Sequence, residues 1–461
     1  MFAPSAFAAR RSTLAGGLTG LVVLLGNGNA PMNYPANHYR FHQDGSFRYY
    51  TGLNAPGLAL ALDADSGQST LYGRDATMED RVWDGDVPSV RERAGFAAIE
   101  HTGSPGDLLE AVRAAKQAGR EVHVLPPYRG HQRLRLAALL DIAPDAVEPS
   151  VPLIEAVIAQ RILKTDEEVE QIEIAMRIAA EMHATASLMA QPGTTEHEVA
   201  AAMEAVALAH GSHPSFPIIL TTRGEVPHYH ASGYALREGD LLLHDAGCVA
   251  PETGYCSDIT RVSPVGGTFT DRQRAIVSLV KEAQEACIAR CAPGVSFRDV
   301  HDLASRTLTT GLVEIGLLRG DVDEIVAAGA HAMYFTHGLG HPMGLDVHDL
   351  EGLGEDRVGY GDEATRSTQF GTQYLRFART LRPGHVMTVE PGIYFNDALI
   401  AQWKAQSRHA EYIDFEEAER WIGFGGVRIE DDVLITEDGH RVLGPGIPKD
   451  LDEVEALVRA A

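Results

Sequence analysis

Residues 241–261 read LLLHDAGCVAPETGYCSDITR, and the two aspartates in this stretch, Asp245 and Asp258, decide how the chain is read. Alternation along DLLLHDAG puts Leu241, Leu243 and Asp245 on one face of a strand. In YCSDITRV, Cys256, Asp258 and Thr260 share a face of the next. A connection through Pro251 and Gly254 lets the two strands pair antiparallel, so that both carboxylates converge. Three further metal-type ligands follow in order: His341 in HGLGHPMGLDVHD, Glu390 in MTVEPGIYF and Glu430 in GGVRIEDDVLIT. Pro391 ends the regular ladder just after Glu390, and Glu430 shares its face with Arg428 and Asp432. Four carboxylates and one imidazole in apolar, glycine-flanked settings are costly to bury unless cations lie among them. Two divalent ions would balance the four negative charges.

The histidine segment contains His337, His341 and His348. Gly338, Gly340 and Pro342 argue against a helix there, so His337 and His341 are not expected to grip one ion together. One ligand and two substrate-facing histidines is the better division. Oxygen-rich ligation with one imidazole and no thiolate suits Mn2+, with Co2+, Fe2+ or Zn2+ as alternatives. A pair of such ions can hold a hydroxide and lower its pKa toward neutrality, and the natural chemistry is hydrolysis of an amide or ester.

Composition narrows the partners. The chain has 461 residues, 44% hydrophobic and 22% charged, which fits a globular protein of two or three domains. Its net charge of −25 disfavours nucleic acid or an anionic membrane surface, since either needs a basic face. Cys248, Cys256, Cys287 and Cys291 are too few for a disulfide framework at this length. Buried free thiols in a reducing, cytoplasmic compartment are expected. Arg10 and Arg11 precede the apolar run 21–25 and imitate an export signal, but a glycine-rich stretch separates them and no A-x-A site follows. A short helix leading into a buried strand is the expectation. No segment reaches membrane-spanning length.

The first third reads as α/β, with strands in GLVVLLGN, FRYYTGL, LALALDA and EVHVLPP and a helix in LLEAVRAAKQAG ended by Gly119. Pro149 and Pro152 mark a connection, and the boundary is placed between residues 157 and 158. Beyond it, Thr165 with Glu168 forms a capping box. Further helices are expected from Thr194 or Thr195, after Thr270 and from Ser296. Two halves, each with helices covering strands, suggest a pseudo-symmetric α+β domain over 158–461.

At this point HDAG, SDITR, HGLGH, DVHD, TVEPGIY and GVRIED together resemble the metal-dependent branch of the pita-bread (creatinase/aminopeptidase) hydrolases. The likeness covers roughly residues 160–445, with all five ligand positions in order. The leading stretch NHYRFHQDGSFRYYTGLNAPGLALALD resembles the first domain of the aminopeptidase P group, which methionine aminopeptidases lack. The resemblance implies an α/β domain over residues 1–157 and a catalytic metallopeptidase domain over 158–461. It implies that Asp245 chelates one metal, that His341 and Glu390 hold the other, and that Asp258 and Glu430 bridge both. Glu390 would shuttle the proton, and His228 in VPHYHAS would contact the substrate near the scissile bond. His348 would steady the carbonyl or tetrahedral intermediate, and His337 would line the proline pocket. Arg428 would orient Asp245. Trp83 in RVWDGD matches an aromatic that one subunit lends to its neighbour's site, within a homodimer or homotetramer. His230 and His244 have no such match and are taken as structural.

The implied activity is hydrolysis of the bond before proline in peptides with proline second, by a hydroxide bridging the two metals. Arg376 in YLRFARTLRPG sits where dipeptidases of this group carry an arginine for the free carboxylate of proline. An Xaa-Pro dipeptidase therefore stands beside the aminopeptidase, which the leading domain and the segment STQFGTQYLRFARTLRPG favour. Incidental organophosphate hydrolysis, a metal-free creatinase-type hydrolase and a non-catalytic pita-bread binding module are further alternatives. Two departures stand out. The link through Ala250-Pro251-Glu252 is longer than usual, and Ser46 occupies a position where relatives often carry an acidic residue.

Overall fold

The computed structural model describes residues 2–461. The chain forms two compact units: one runs to Arg161 and takes in Gly352–Gly354, the other comprises Ile162–Glu351 and Glu355–Ala461.

The leading unit is built on a five-stranded mixed sheet. Its central strand, Ala59–Asp63, pairs antiparallel with Leu21–Leu25 and Ser69–Tyr72, while Val122–Val124 pairs parallel with Leu21–Leu25 at one edge and His101–Gly103 with Ser69–Tyr72 at the other. The helix Pro105–Gln117 is capped by Ser104 and Asp107 and lays Leu108, Val112 and Ala115 into the core. The N-terminal basic pair belongs to a helix, Pro4–Gly16, that precedes the buried strand. Arg11 is itself buried and donates to the carbonyls of Tyr50 at 2.8 Å and Ala97 at 2.9 Å. One expectation is corrected: FRYYTGL is not a strand. Gly45–Thr51 is helical, because the Asp44 side chain caps the Phe47 N–H and Gly52, at φ 69°, closes the other end.

The second unit repeats one plan twice. The helices Asp166–Leu188 and Glu196–Ala209 pack together and precede a sheet of Ile219–Thr221, Leu241–Ala246 and Ile259–Pro264. The helices Asp271–Arg290 and Phe297–Glu314 pack together and precede a sheet of Val386–Val389, Asp431–Ile435 and His440–Val442. Thr165, Thr195 and Thr270 each complete a capping box, and Ser296 caps the fourth helix. The Asp245 strand pairs antiparallel with the next, in the register Asp245↔Thr260. A two-stranded ribbon, Gly392–Tyr394 with Gly426–Arg428, and a bridge between Thr260 and Glu430 join the two sheets. Among the described residues no helix is long and apolar enough to cross a membrane. All four cysteines are buried and outside any disulfide.

Arg261 clamps this junction. It donates to the carbonyls of Thr260 at 3.0 Å and Glu430 at 2.6 Å, and to Asp431 Oδ1 at 2.6 Å. Asp431 Oδ2 accepts from Gln284 and Lys449. Burial would raise the Asp431 carboxyl, but Arg261 and Lys449 outweigh it and hold it below its ordinary value. Removing one partner of a buried, hydrogen-bonded pair strands the other charge. Arg261→Met should therefore destabilise the second unit by about 3 kcal/mol, at the low end for such pairs because Lys449 remains, as read from its denaturant midpoint.

Candidate metal centre and active site

Three of the ligand-type residues lie just outside strand ends rather than within strands. Asp258 precedes Ile259–Pro264, Glu390 follows Val386–Val389, and Glu430 lies between Arg428 and Asp431. There the pleat lapses, so side chains from both sheets can turn toward one point. One donor atom each from Asp258, His341 and Glu430 lies within 4.8 Å of the others, an arrangement that could hold a metal ion. His341 Nε2 lies 3.5 Å from Asp258 Oδ2 and 3.7 Å from Glu390 Oε1. The opposite ring nitrogen, Nδ1, is engaged with the Pro342 carbonyl at 3.1 Å, which directs Nε2 at the carboxylates. Backbone contact fixes the loop behind it. A Cβ on Gly340 would collide with the Thr388 carbonyl, while Thr388 Oγ1 accepts from the His341 N–H at 3.0 Å.

Arg428 is the cation beside the cluster. It donates to Asp245 Oδ2, to Thr260 Oγ1 at 3.0 Å and to the Tyr394 hydroxyl at 3.0 Å. Burial alone would lower its guanidinium, but Tyr394, Asp245, Glu390 and Glu430 lift it well above its ordinary value. One arginine does not satisfy four carboxyls. Burial, then repulsion from Asp245, raises Asp258 far above the carboxylate range. Burial followed by Asp258 and Glu390 does the same to Glu430, and burial pushes Glu390 up to about 8. The buried atoms Asp245 Oδ1 and Asp258 Oδ1 find no hydrogen-bond donor. Unsatisfied buried oxygens, raised carboxyls and an imidazole directed at them form a donor set that divalent cations fit.

The remaining predicted residues separate. His337 Nδ1 meets the Gly338 carbonyl and its Nε2 the Tyr394 hydroxyl, both at 2.7 Å, and burial lowers its pKa to about 3. The His348 ring lies 4.0 Å from that of His341, with Nδ1 held by Glu351 Oε2 at 2.6 Å. Arg376 Nε donates to the same Glu351 oxygen at 3.0 Å. The hydrogen bond from His348, with the nearby charges of His348 and Arg376, lowers the Glu351 carboxyl to about 2. His341, His348, Glu351, Glu355 and Arg376 line one narrow cleft. His228 is exposed on a loop within electrostatic reach of Arg428 and Asp245. Trp83 belongs to the leading unit, where it is 80% exposed on the helix Met78–Asp84. Ser46, also in that unit, is buried and accepts from Arg161 at 2.8 Å. His244 is fully buried against His183 and Ser263, and the exposed His230 meets the Ile218 carbonyl. Sequence reasoning missed Glu351, Tyr394 and Thr388. Only Glu351, an acid three residues after His348, left a local trace.

This architecture is shared with solved metallopeptidases. A variant of Escherichia coli aminopeptidase P in complex with substrate superposes with a TM-score of 0.81 at 28% identity, covering 100% of this chain and 99% of that one. The fold is the pita-bread fold with an aminopeptidase P-type leading domain, and the protein is a metal-dependent peptidase. The profile described as metallopeptidase family M24 matches residues 170–437, that of the aminopeptidase P N-terminal domain matches residues 7–123, and the chain belongs to family M24. The human Xaa-Pro dipeptidase is 31% identical over 95% of this chain and 89% of its own length. The Escherichia coli Xaa-Pro aminopeptidase is 32% identical over 92% and 90%.

A pH test follows from the raised carboxyls. Above about pH 7.5 histidines are almost wholly neutral in folded and unfolded chains alike, so they contribute little. Glu390, pushed up to about 8, still holds much of its proton there in the metal-free fold and none when unfolded, and Asp258 and Glu430 are shifted in the same direction. The unfolded state then binds fewer protons, so metal-free stability should fall as pH rises from about 7.5 to 8.5, by up to about 1.4 kcal/mol per pH unit for each protonated carboxyl. Added Mn2+ should reverse the sign, because the ion competes with those protons. Thermal melts across that range, with and without the metal, measure both slopes.

Proposed function

We propose that this enzyme is an Xaa-Pro aminopeptidase that removes the first residue from small peptides with proline second. The observation that carries the reading is the gathering of Asp245, Asp258, His341, Glu390 and Glu430 around buried oxygens that lack donors. Asp245 would hold one divalent ion, His341 and Glu390 a second, and Asp258 and Glu430 both, with Mn2+ preferred over Co2+, Fe2+ or Zn2+. Bound ions supply Lewis acidity and a water of lowered pKa.

The side chains do the rest. Glu390 has Oε1 facing His341 and Oε2 facing His337 at 3.9 Å, a position from which it would take a proton from the attacking water and give it to the leaving proline nitrogen. That nitrogen has no N–H in the substrate, so peptidases that need this donor fail on the bond. His348, with Nδ1 fixed by Glu351, would present Nε2 to the carbonyl oxygen as charge develops there. Both ring nitrogens of His337 are engaged, so it would meet the proline ring through its face. Arg428 holds Asp245 in place.

The aminopeptidase is preferred to the dipeptidase because Arg376 already pairs through Nε with Glu351, whose charge offsets part of the attraction a substrate carboxylate would feel. The dipeptidase is the second reading, favoured by the placement of Arg376 in the same cleft as His341 and His348. The same proposal takes residues 1–157 as the leading domain and 158–461 as the catalytic domain of a cytoplasmic homodimer or homotetramer. Four buried thiols and the exposed Trp83, assigned to a neighbour's site, support it.

Purified enzyme should carry about two divalent ions per chain by elemental analysis. Asp258→Ala and His341→Ala should each abolish activity while the circular dichroism spectrum persists. Gly-Pro-Pro should release glycine much faster than Gly-Pro does, and cleavage of the dipeptide alone would overturn the aminopeptidase in favour of the dipeptidase.

A further inference from the structure

We propose that Glu196 is a positioning residue: its carboxylate staples together the two ends of the loop 222–232 and so holds His228 toward the active site. The proposal rests on the assignment of His228 to substrate contact made above.

Glu196 opens the helix Glu196–Ala209, but it takes no part in the cap, which Thr195 and Glu198 complete between themselves. Its side chain is nevertheless buried, with 1% of the residue exposed. A buried carboxylate needs partners, and the loop supplies four. Oε1 accepts from the Thr222 N–H at 2.7 Å and the Thr222 hydroxyl at 3.0 Å. Oε2 accepts from the Ser232 N–H at 2.9 Å and the Ser232 hydroxyl at 2.6 Å. Each oxygen therefore grips one end of the loop, and the acceptor sites of an ionised carboxylate are filled.

The segment between these ends is seated from below. A Cβ on Gly224 would lie 2.7 Å from the Gly426 carbonyl oxygen, so the loop rests directly on the strand that carries Arg428. Asn396 Nδ2 donates to the Glu225 carbonyl at 3.2 Å, and the Arg223 guanidinium lies 5.0 Å from the Tyr229 ring centroid. His230 Nδ1 meets the Ile218 carbonyl at 3.1 Å on the far side. His228 itself has no such tie among the hydrogen bonds of the loop, and its place follows from the anchors on either side. Glutamine at 196 would present an amide N–H to a backbone N–H that cannot rotate to accept it. One end of the loop would then lose the bond from its backbone N–H and be held less firmly, though the Ser232 carbonyl would still accept from the His197 N–H at 3.1 Å.

The test is a double-mutant cycle on the metal-loaded enzyme with Glu196→Gln and His228→Ala, assayed on Gly-Pro-Pro. Glu196→Gln should lower kcat/KM by about tenfold to 100-fold with metal content unchanged. Once His228 is gone, adding Glu196→Gln should cost little more, because the two act through one contact. Amide hydrogen exchange over 222–232 should quicken in Glu196→Gln. Ser232→Ala, which trims a single hydroxyl, should show a smaller shift of the same kind should the glutamine variant fold poorly. Fully multiplicative losses, or unchanged kcat/KM and exchange in Glu196→Gln, would overturn the proposal. A His228→Ala enzyme at the wild-type rate would instead overturn the substrate role of His228, and the staple would then be judged on hydrogen exchange alone.

Discussion

Four carboxyls are brought together beside a single arginine, and the repulsion among them is the force the second unit is built to withstand. Like charges a few ångströms apart in a poorly solvated site repel by several kcal/mol. The fold answers with backbone rather than with counter-charge. Arg261 and Asp431 lock the two sheets where Thr260 meets Glu430. Gly340 lies against the Thr388 carbonyl, and Gly247 against that of Ser257, so neither the histidine loop nor the aspartate hairpin can relax outward. Burial and mutual repulsion push Asp258, Glu390 and Glu430 toward the protonated form in the metal-free chain, which relieves part of the strain. Cations would relieve it more fully.

A second layer of order governs the residues around that cluster. Glu351 binds His348 and Arg376 through one oxygen, and Tyr394 stands between His337 and Arg428. In each case a group able to face substrate is oriented by a neighbour that does not sit in the cluster. Orientation of this kind is what allows a static set of side chains to favour a transition state over a ground state.

Much of the scaffold is local chemistry and could be read from the chain. Thr165, Thr195, Thr270 and Ser296 announce their helices because a cap is made within three residues. The pairing of 241–246 with 259–264 follows from alternation and a turn between them. FRYYTGL misled because aromatic residues favour strands, whereas the deciding signals were Asp44 before it and Gly52 within it. Carboxylates in apolar surroundings mark themselves as unusual. Their exact seats at strand ends do not, since where the pleat lapses depends on the partner sheet. Tyr394, Thr388 and Glu196 were illegible for the same reason: each is an ordinary residue until a distant segment folds against it.

Gly224 and Gly426 touch backbone to backbone across the ribbon, though two hundred positions apart in the sequence. Neither can acquire a side chain while the other stays where it is, so the two behave as one locus under mutation. Anyone diversifying this protein to change which peptides it accepts would do well to freeze both glycines with His228 and His230 and to vary Pro227, Tyr229 and Ala231, at the tip between the fixed ends, where new chemistry can be tried without dislodging the floor beneath it.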